Sequence, residues 1–485
     1  MSEMSVDRIP TGVGELDRML DGGIPTQSVT VIAGEPGTGK TVLALKMMFT
    51  AAQRGAKCLY ITTLSEPAIK LIRHMQLFEF FDGSLVGDNI VLCDLGAVLR
   101  ADGVEKALAH ILERVEEMEP ELVVVDSFKA IHDLLPRDRD RTFVYDLVAS
   151  MAAWGTTSLL LGEYAEPEMS KLPELAIADG IVRLGFGRGD LATTRELEIQ
   201  KLRGSDFVSG KHSYEIGSGG IVVYPRLRAP SFANDTASSP IEPVSTGVEG
   251  LDRMLNGGLP RSSATVVLGG TGTGKTVLGL NFLIEGARRG EPSVLFTLEE
   301  TPAQIRGIGA SLGWDLKGFE DSGLLRICFT SPVELSPDRF LYQVRRMVEE
   351  MRAQRLVVDS LTTLELGTTS PQRYKALVYA LMKHLRASGV TSLMQLEIPE
   401  LVGAGKLSGH GISFAADNAV YLRFLERSGQ LERAAVIIKA RGVAHRNELC
   451  GLTIAPGGMR IGDPLQNMQG VLTGMPVEKT PKRKR

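Results

Sequence analysis

The sequence predicts two α/β domains in tandem, each with a central, mostly parallel β-sheet flanked by helices. Two observations predict it. The chain is written twice: "TGVGELDRMLDGGIPTQSVTVIAGEPGTGKTVLAL" from Thr11 returns as "TGVEGLDRMLNGGLPRSSATVVLGGTGTGKTVLGL" from Thr246, at an offset of 235 (246 − 11) that Lys40 and Lys275 repeat. Within each copy, short apolar runs of strand length alternate with helical stretches, the pattern of a parallel sheet buried on both faces.

The elements follow in order. "TGVEGLDRML" reads as a helix with a capping-box start, Thr246 with Glu249 three residues on. "NGG" and the proline after it stop that helix, because glycine takes the left-handed conformation. The strand "ATVVLG" comes next, then a glycine loop, then the helix "KTVLGLNFLIEGARRG". "ELVVVD" (121–126) and "RLVVD" (355–359) have the look of buried parallel strands, and "TTSLLLGEY" and "VTSLMQLEI" supply another per copy. "APSFANDTASSPIEP" is a Pro-, Ser- and Ala-rich linker at 229–243. It places the domains at 1–228 and 244–478 and leaves a basic tail at 479–485, either a solvated end or a dock for an acidic partner.

Composition narrows the class. With 485 residues, 43% hydrophobic and 23% charged, the chain is globular and too long for one ordinary core. A net charge of −4 gives no footprint for nucleic acid. "MSEMSVDRIP" lacks the apolar region of a signal peptide, and no apolar run approaches the roughly 20 residues of a membrane span. Cys58, Cys93, Cys328 and Cys450 lie far apart without CxxC spacing, which argues against a metal cluster and for a reduced, cytoplasmic setting.

"GEPGTGKT" (34–41) and "GGTGTGKT" (269–276) match G-x-x-x-x-G-K-[ST], and each follows an apolar strand and opens a helix. The glycines let successive backbone N–H groups converge on phosphate oxygens, and the helix N-terminus adds unpaired donors. The expected nucleotide contacts are Gly34, Gly37, Thr38, Gly39, Lys40, Thr41 and Val42 in the first copy, and Gly269, Gly272, Thr273, Gly274, Lys275, Thr276 and Val277 in the second. Lys40 and Lys275 would reach the outer phosphates of ATP, and Thr41 and Thr276 would ligate Mg²⁺. Asp126 and Asp359 each end a buried strand, the place for a metal-side carboxylate; an aspartate capping the next helix is the plainer alternative.

Phosphoryl transfer also needs a group to orient the attacking oxygen. Glu299 and Glu300 close the strand "SVLFTL", and neighbours on a strand point to opposite faces, so one of the pair faces the nucleotide. At the offset of 235, Leu64 and Ser65 stand in their places, and Glu66 falls two positions further on. Two positions keep the strand face but shift the side chain about 6–7 Å. A bulge before Pro67 could return Glu66 to the site. Three readings stay open for the first site: turnover with Glu66, ATP held for assembly, or another base.

The opening "TGxxxLDxxLxGGxP", the phosphate loops, "LEETP" and "SLGWDL" (311–316) together resemble the RecA-like P-loop ATPases, and within them the KaiC circadian-clock family. The resemblance reaches from the start to about Pro476. It implies two tandem RecA-like domains in a hexameric homo-oligomeric ring, with ATP and Mg²⁺ between subunits and a KaiB-like or other signalling protein as partner. It implies that Lys201, Arg203, Lys439 and Arg441, in "IQKLRGSDF" and "IIKARGVAH", reach a neighbour's nucleotide. The K-x-R spacing would put each pair on one strand face, and an exposed basic edge is the alternative reading. The resemblance also makes Glu299 the general base and Ser413, in "SGHGISFAADNAVYLRF", the phosphoserine of a serine/threonine autokinase. Phe414 occupies the family's threonine position and cannot accept phosphate. The chain also ends soon after "GVLTGMP" (470–476), short of the family's long activator-docking tail. The expected function is thus a KaiC-like signalling or timing ATPase. Two other classes stand beside it: a RadA- or DnaB-like nucleic-acid-dependent ATPase, and a nucleotide-gated scaffold with little turnover.

Overall fold

The structure is a computed structural model that describes residues 7–63, 68–134, 140–153, 155–164, 172–188, 193–227, 242–332, 336–368, 370–398, 415–427, 429–465, 468–469 and 477–478. The chain divides into two compact units, Met1–Arg226 and Leu227–Arg485.

The first unit contains a nine-stranded sheet. Its strands are β1 (Val29–Gly34), β2 (Cys58–Thr62), β3 (Ile90–Asp94), β4 (Leu122–Asp126), β5 (Thr157–Gly162), β6 (Gly180–Arg188), β7 (Thr193–Leu202), β8 (Lys211–Gly217) and β9 (Gly220–Tyr224), in the order β9-β8-β7-β6-β1-β5-β4-β2-β3. Strands from β6 through β3 in that order pair in parallel, while β7, β8 and β9 extend the sheet antiparallel. The second unit repeats this with β10 (Ala264–Gly269), β11 (Ser293–Thr297), β12 (Leu325–Phe329), β13 (Arg355–Asp359), β14 (Thr391–Glu397), β15 (Asn418–Arg427), β16 (Gln430–Ala440), β17 (Cys450–Ala455) and β18 (Gly458–Pro464). Their order is β12-β11-β13-β14-β10-β15-β16-β17-β18.

Side-chain alternation explains why these runs are apolar throughout. Along β1, β2 and β4, Val31, Leu59, Ile61, Val123 and Val125 pack into one core layer, while Ile32, Cys58, Tyr60, Leu122 and Val124 pack into the other. A strand buried on both faces has no position for a polar residue until it reaches its end. Asp126 and Asp359 stand at such ends, two strands from the phosphate-loop strand with β5 or β14 between.

One local expectation is corrected. The helix Glu249–Met254 starts from Val248, and no side chain caps it. Thr246 lies too early to reach the first free N–H groups, and its N–H and hydroxyl instead donate to Asp252 Oδ1, at 2.8 and 2.6 Å. Thr11 and Asp17 repeat the arrangement in the first copy. A true capping box occurs at Thr301 and Gln304, opening the helix Pro302–Ser311. At the helix stop in "NGG", Asn256 itself takes the left-handed conformation (φ 56°), followed by Gly257 at 120°.

Candidate functional site

The phosphate loops curl between β1 and the helix Lys40–Ala52, and between β10 and the helix Lys275–Arg288. Gly39 and Gly274 sit at the helix starts with φ of 91° and 104° and offer no side-chain cap, so the first helical N–H groups are left for a ligand. An added Cβ would meet Ile216 Cδ1 at 2.5 Å at Gly39 and Ile454 Cδ1 at 2.8 Å at Gly274. Only glycine fits both the backbone angle and the space. Gly37 and Gly272 also have positive φ, 76° in each. Gly34 and Gly269 pass so close to β6 and β15 that a Cβ would meet the Leu184 and Leu422 carbonyl oxygens at 2.3 and 2.7 Å.

The buried Lys40 ammonium donates to the Gly34 and Glu35 carbonyls at 3.0 Å each. Lys275 does the same with Gly269 and Gly270, at 3.0 and 2.9 Å. Each lysine thus lies folded over its own loop. Thr38 and Thr273 brace their loops by donating to the Glu35 and Gly270 carbonyls. Val42 and Val277 follow on the helices and are partly buried against the core.

Thr41 Oγ1 donates to Asp126 Oδ2 at 2.8 Å, and Thr276 Oγ1 to Asp359 Oδ2 at 2.7 Å. The spacing from Asp126 to Asp359 is 233 (359 − 126), two short of the offset at the loops, yet both halves bring the same pair together. These are hard oxygen donors at a loop built for phosphate, a set that suits Mg²⁺.

Charge differs between the halves. Burial pulls the Lys40 ammonium below its usual range, countered by Glu163 and then Asp126. Burial pushes the Asp359 carboxyl up to about 7, and Glu300 and Glu299 add to that rise while Thr276 and Lys275 oppose it. Glu300 is likewise raised, first by burial and then by Glu299, and its Oε2 is buried without a hydrogen-bond partner. Glu299 and Glu300 lie past the end of β11, in a bend rather than on the strand. Glu299 Oε1 accepts from Ser360 Oγ at 2.8 Å and from Thr363 Oγ1 at 2.6 Å.

The remaining candidates separate from this group. Lys201 and Lys439 lie near the ends of β7 and β16, and Arg203 and Arg441 just beyond them, so strand alternation does not set both members of each pair. Each lysine flanks a register shift, with Ile181 paired to Lys201 and Ala419 to Lys439. Lys201 Nζ donates to the Ala176 carbonyl at 3.0 Å, and Lys439 Nζ to Ala416 at 2.6 Å. Burial, then the adjacent arginine, lowers both lysines. Glu66, Ser413 and Phe414 lie outside the described residues.

Several contacts escape a motif search. Tyr60 donates to Asp126 Oδ2 at 2.6 Å, a bond the second half lacks because Leu295 stands at that place. Gly162 of β5 pairs with Ala33, which brings Glu163 beside Gly34, and Glu397 pairs with Gly269. Thr271 of the second loop donates to Glu397, whereas the first loop has Pro36 there. The available signal was the shared glutamate after "LLLG" and "LMQL".

A family model described as "ATPase: KaiC" matches residues 9–228 and, again, 244–466. The chain is 29% identical over 487 residues to the circadian clock oscillator protein KaiC of a Picosynechococcus species, covering 97% of this chain and 93% of that protein. It is 28% identical over 494 residues to the circadian clock protein KaiC3 of a Synechocystis species, covering 97% and 95%. It is 28% identical over 487 residues to the circadian clock oscillator protein KaiC of Rippkaea orientalis, covering 98% and 92%. With two nine-stranded sheets of RecA-like topology and a phosphate loop in each, the chain belongs to the KaiC family of ATPases.

Proposed function

We propose that the chain is a ring-forming ATPase of signalling or timing, with a second half that also phosphorylates itself on Ser413. The observation that carries the ATPase reading is the duplicated contact between phosphate-loop threonine and strand-end aspartate, at 2.8 and 2.7 Å. Mg²⁺ would sit among Thr41 and Asp126, or Thr276 and Asp359, where it would neutralise developing phosphoryl charge. Lys40 and Lys275 would exchange their loop carbonyls for phosphate oxygens. Glu299 would accept the proton of the attacking hydroxyl, with Glu300 beside it. Lys201, Arg203, Lys439 and Arg441 would act on the nucleotide of a neighbouring copy in a hexamer. The domain limits in this reading are 1–228 and 244–478, in keeping with the matched spans. Its partner would be a KaiB-like or other signalling protein.

The kinase reading is tested by incubating wild type, Glu299→Gln and Ser413→Ala with Mg-ATP, followed by intact-mass and phosphopeptide measurement. Wild type should gain one phosphate that both variants lack. A wild type that gains none, or a Ser413→Ala chain that gains as much, removes the autokinase.

A further inference from the structure

The second half grips Glu299 from one side. Two hydroxyls, Ser360 Oγ and Thr363 Oγ1, donate to the same carboxylate oxygen, Oε1, and lie 3.4 Å from each other. Both residues are buried, with exposures of 1% and 7%. We propose that Thr363, backed by Ser360, is a positioning residue of the second site: it holds Glu299 Oε1 so that Oε2 is presented to the attacking oxygen, that of water in ATP hydrolysis or of a hydroxyl in phosphotransfer. The inference rests on the reading of Glu299 as general base.

The physical need is specific. A glutamate side chain has three rotatable bonds, and one lying in a bend past a strand end is not oriented by the sheet. Its neighbour Glu300 carries a second carboxyl that repels it when both are ionised. Two donors on one oxygen offset that repulsion and select one rotamer, because hydrogen bonds to an ionised acceptor are the strong kind. Ser360 comes directly after Asp359, so the grip is anchored to the same strand end that holds the metal-side carboxylate. Thr363 lies within the helix Leu361–Leu366, which packs on β14.

The first half provides an internal comparison. Counting from Asp126 as Thr363 is counted from Asp359, Ser127 takes the place of Ser360 and Ala130 that of Thr363. The hydroxyl at the strand end there belongs to Thr63, and it serves the backbone: it accepts from Ser127 N at 3.0 Å and donates to the Ser127 carbonyl at 3.2 Å. Leu64 stands in the place of Glu299. Within one chain, then, the carboxylate and the threonine that holds it are present together in one copy and absent together in the other.

The test measures steady-state ATP turnover by the full chain with Mg-ATP, for wild type, Thr363→Val and Thr363→Ser, each with Glu299 intact and as Glu299→Gln. Valine keeps the volume of threonine, and a melting curve checks that the variant is folded. The part of kcat that Glu299→Gln removes should fall about tenfold in Thr363→Val, about 1.4 kcal/mol of barrier, with KM unchanged. Thr363→Ser should restore most of it, and Thr363→Val should change nothing further in the Glu299→Gln chain. Full turnover in Thr363→Val, failure of serine to rescue, or an added loss in the Glu299→Gln background would overturn the positioning role while leaving Glu299 as base. Wild-type turnover by Glu299→Gln would overturn the base itself, and the positioning role with it.

Discussion

Replacing Arg355 by leucine probes how the second half anchors the strand that ends in Asp359. Arg355 opens β13 with 1% exposure. Its Nε donates to Glu291 Oε2 at 2.6 Å, its Nη1 donates to the Ser245 and Phe282 carbonyls at 2.7 and 2.9 Å, and its guanidinium lies 4.7 Å from the Phe282 ring centroid. Leucine would leave two carbonyls without their donor, at about 1–3 kcal/mol each. Glu291, 16% exposed, would keep only Arg261, at 3.8 Å, as an ion-pair partner among the described residues. Removing one partner of a buried pair costs about 3–5 kcal/mol, and the leucine side chain returns about 1.5–3 kcal/mol by its own burial. A net loss of about 2–9.5 kcal/mol follows, centred on roughly 6, and the centre corresponds to about 12–24 °C in the melting of the second unit. Calorimetry of the nucleotide-free chain measures this, and amide exchange along β13 localises it. The double substitution Arg355→Leu with Glu291→Leu should recover about 1–2 kcal/mol, because no charge is left unpaired. A single variant within about 1 kcal/mol of wild type, or a double variant no better than the single, would refute the reasoning. The first half has Leu122 at the same place in its strand, so the corresponding anchor is absent there.

Two further outcomes are expected. His384, in the helix Pro371–Ala387, has a buried Nε2 without a hydrogen-bond partner, and burial, then Arg345, lowers its pKa while Glu349 opposes. Below about pH 6.5 the unfolded chain takes up this proton before the folded one, so stability falls as pH drops from there toward the lowered folded value. His384→Gln should flatten the melting profile between pH 7.5 and 5, and an unchanged slope would remove His384 as its source. For the first site, where turnover with Glu66, ATP held for assembly and another base are the three readings, Glu66→Gln in a Glu299→Gln background should abolish residual ATP turnover if Glu66 is the base; unchanged turnover would exclude it.

The parts of the site legible in the sequence are those a backbone demands. Gly39 and Gly274 are readable because φ near 90–100° and a side chain within 3 Å admit no other residue. Asp126 and Asp359 are readable because a carboxylate after a run of four and three apolar strand residues, respectively, has few other reasons to be there. Contacts made across the sheet leave no such trace. Ser360 and Thr363 meet Glu299 from 61 and 64 residues away, and "SLTT" carries no pattern that points to a carboxylate. The K-x-R spacing assigns no common face for a local reason: Arg203 and Arg441 fall just past the ends of β7 and β16, where strand alternation no longer applies.

That division bears on how the two halves differ. The groups suited to hold phosphate and metal are duplicated with nearly the same distances: lysine to loop carbonyls at 2.9–3.0 Å, and threonine to aspartate at 2.7–2.8 Å. They are constrained by strand ends, helix starts and left-handed glycines, and a change in any of them disturbs the fold as well as the ligand. Glu299 and Glu300 lie in a bend and Thr363 in a short helix, where no strand end or left-handed glycine demands the residue. At the corresponding sequence positions the halves diverge as sets: Glu299, Glu300, Thr363 and the Thr271–Glu397 contact in one, and Leu64, Ser65, Ala130, Pro36 and Glu163 in the other. With Pro36 in the loop, no threonine hydroxyl engages Glu163 as Thr271 engages Glu397, and Glu163 acts electrostatically on Lys40. In the proposed reading, a chain whose copies keep the binding set and replace the turnover set coherently is one in which the two sites bind the same nucleotide and process it at different rates.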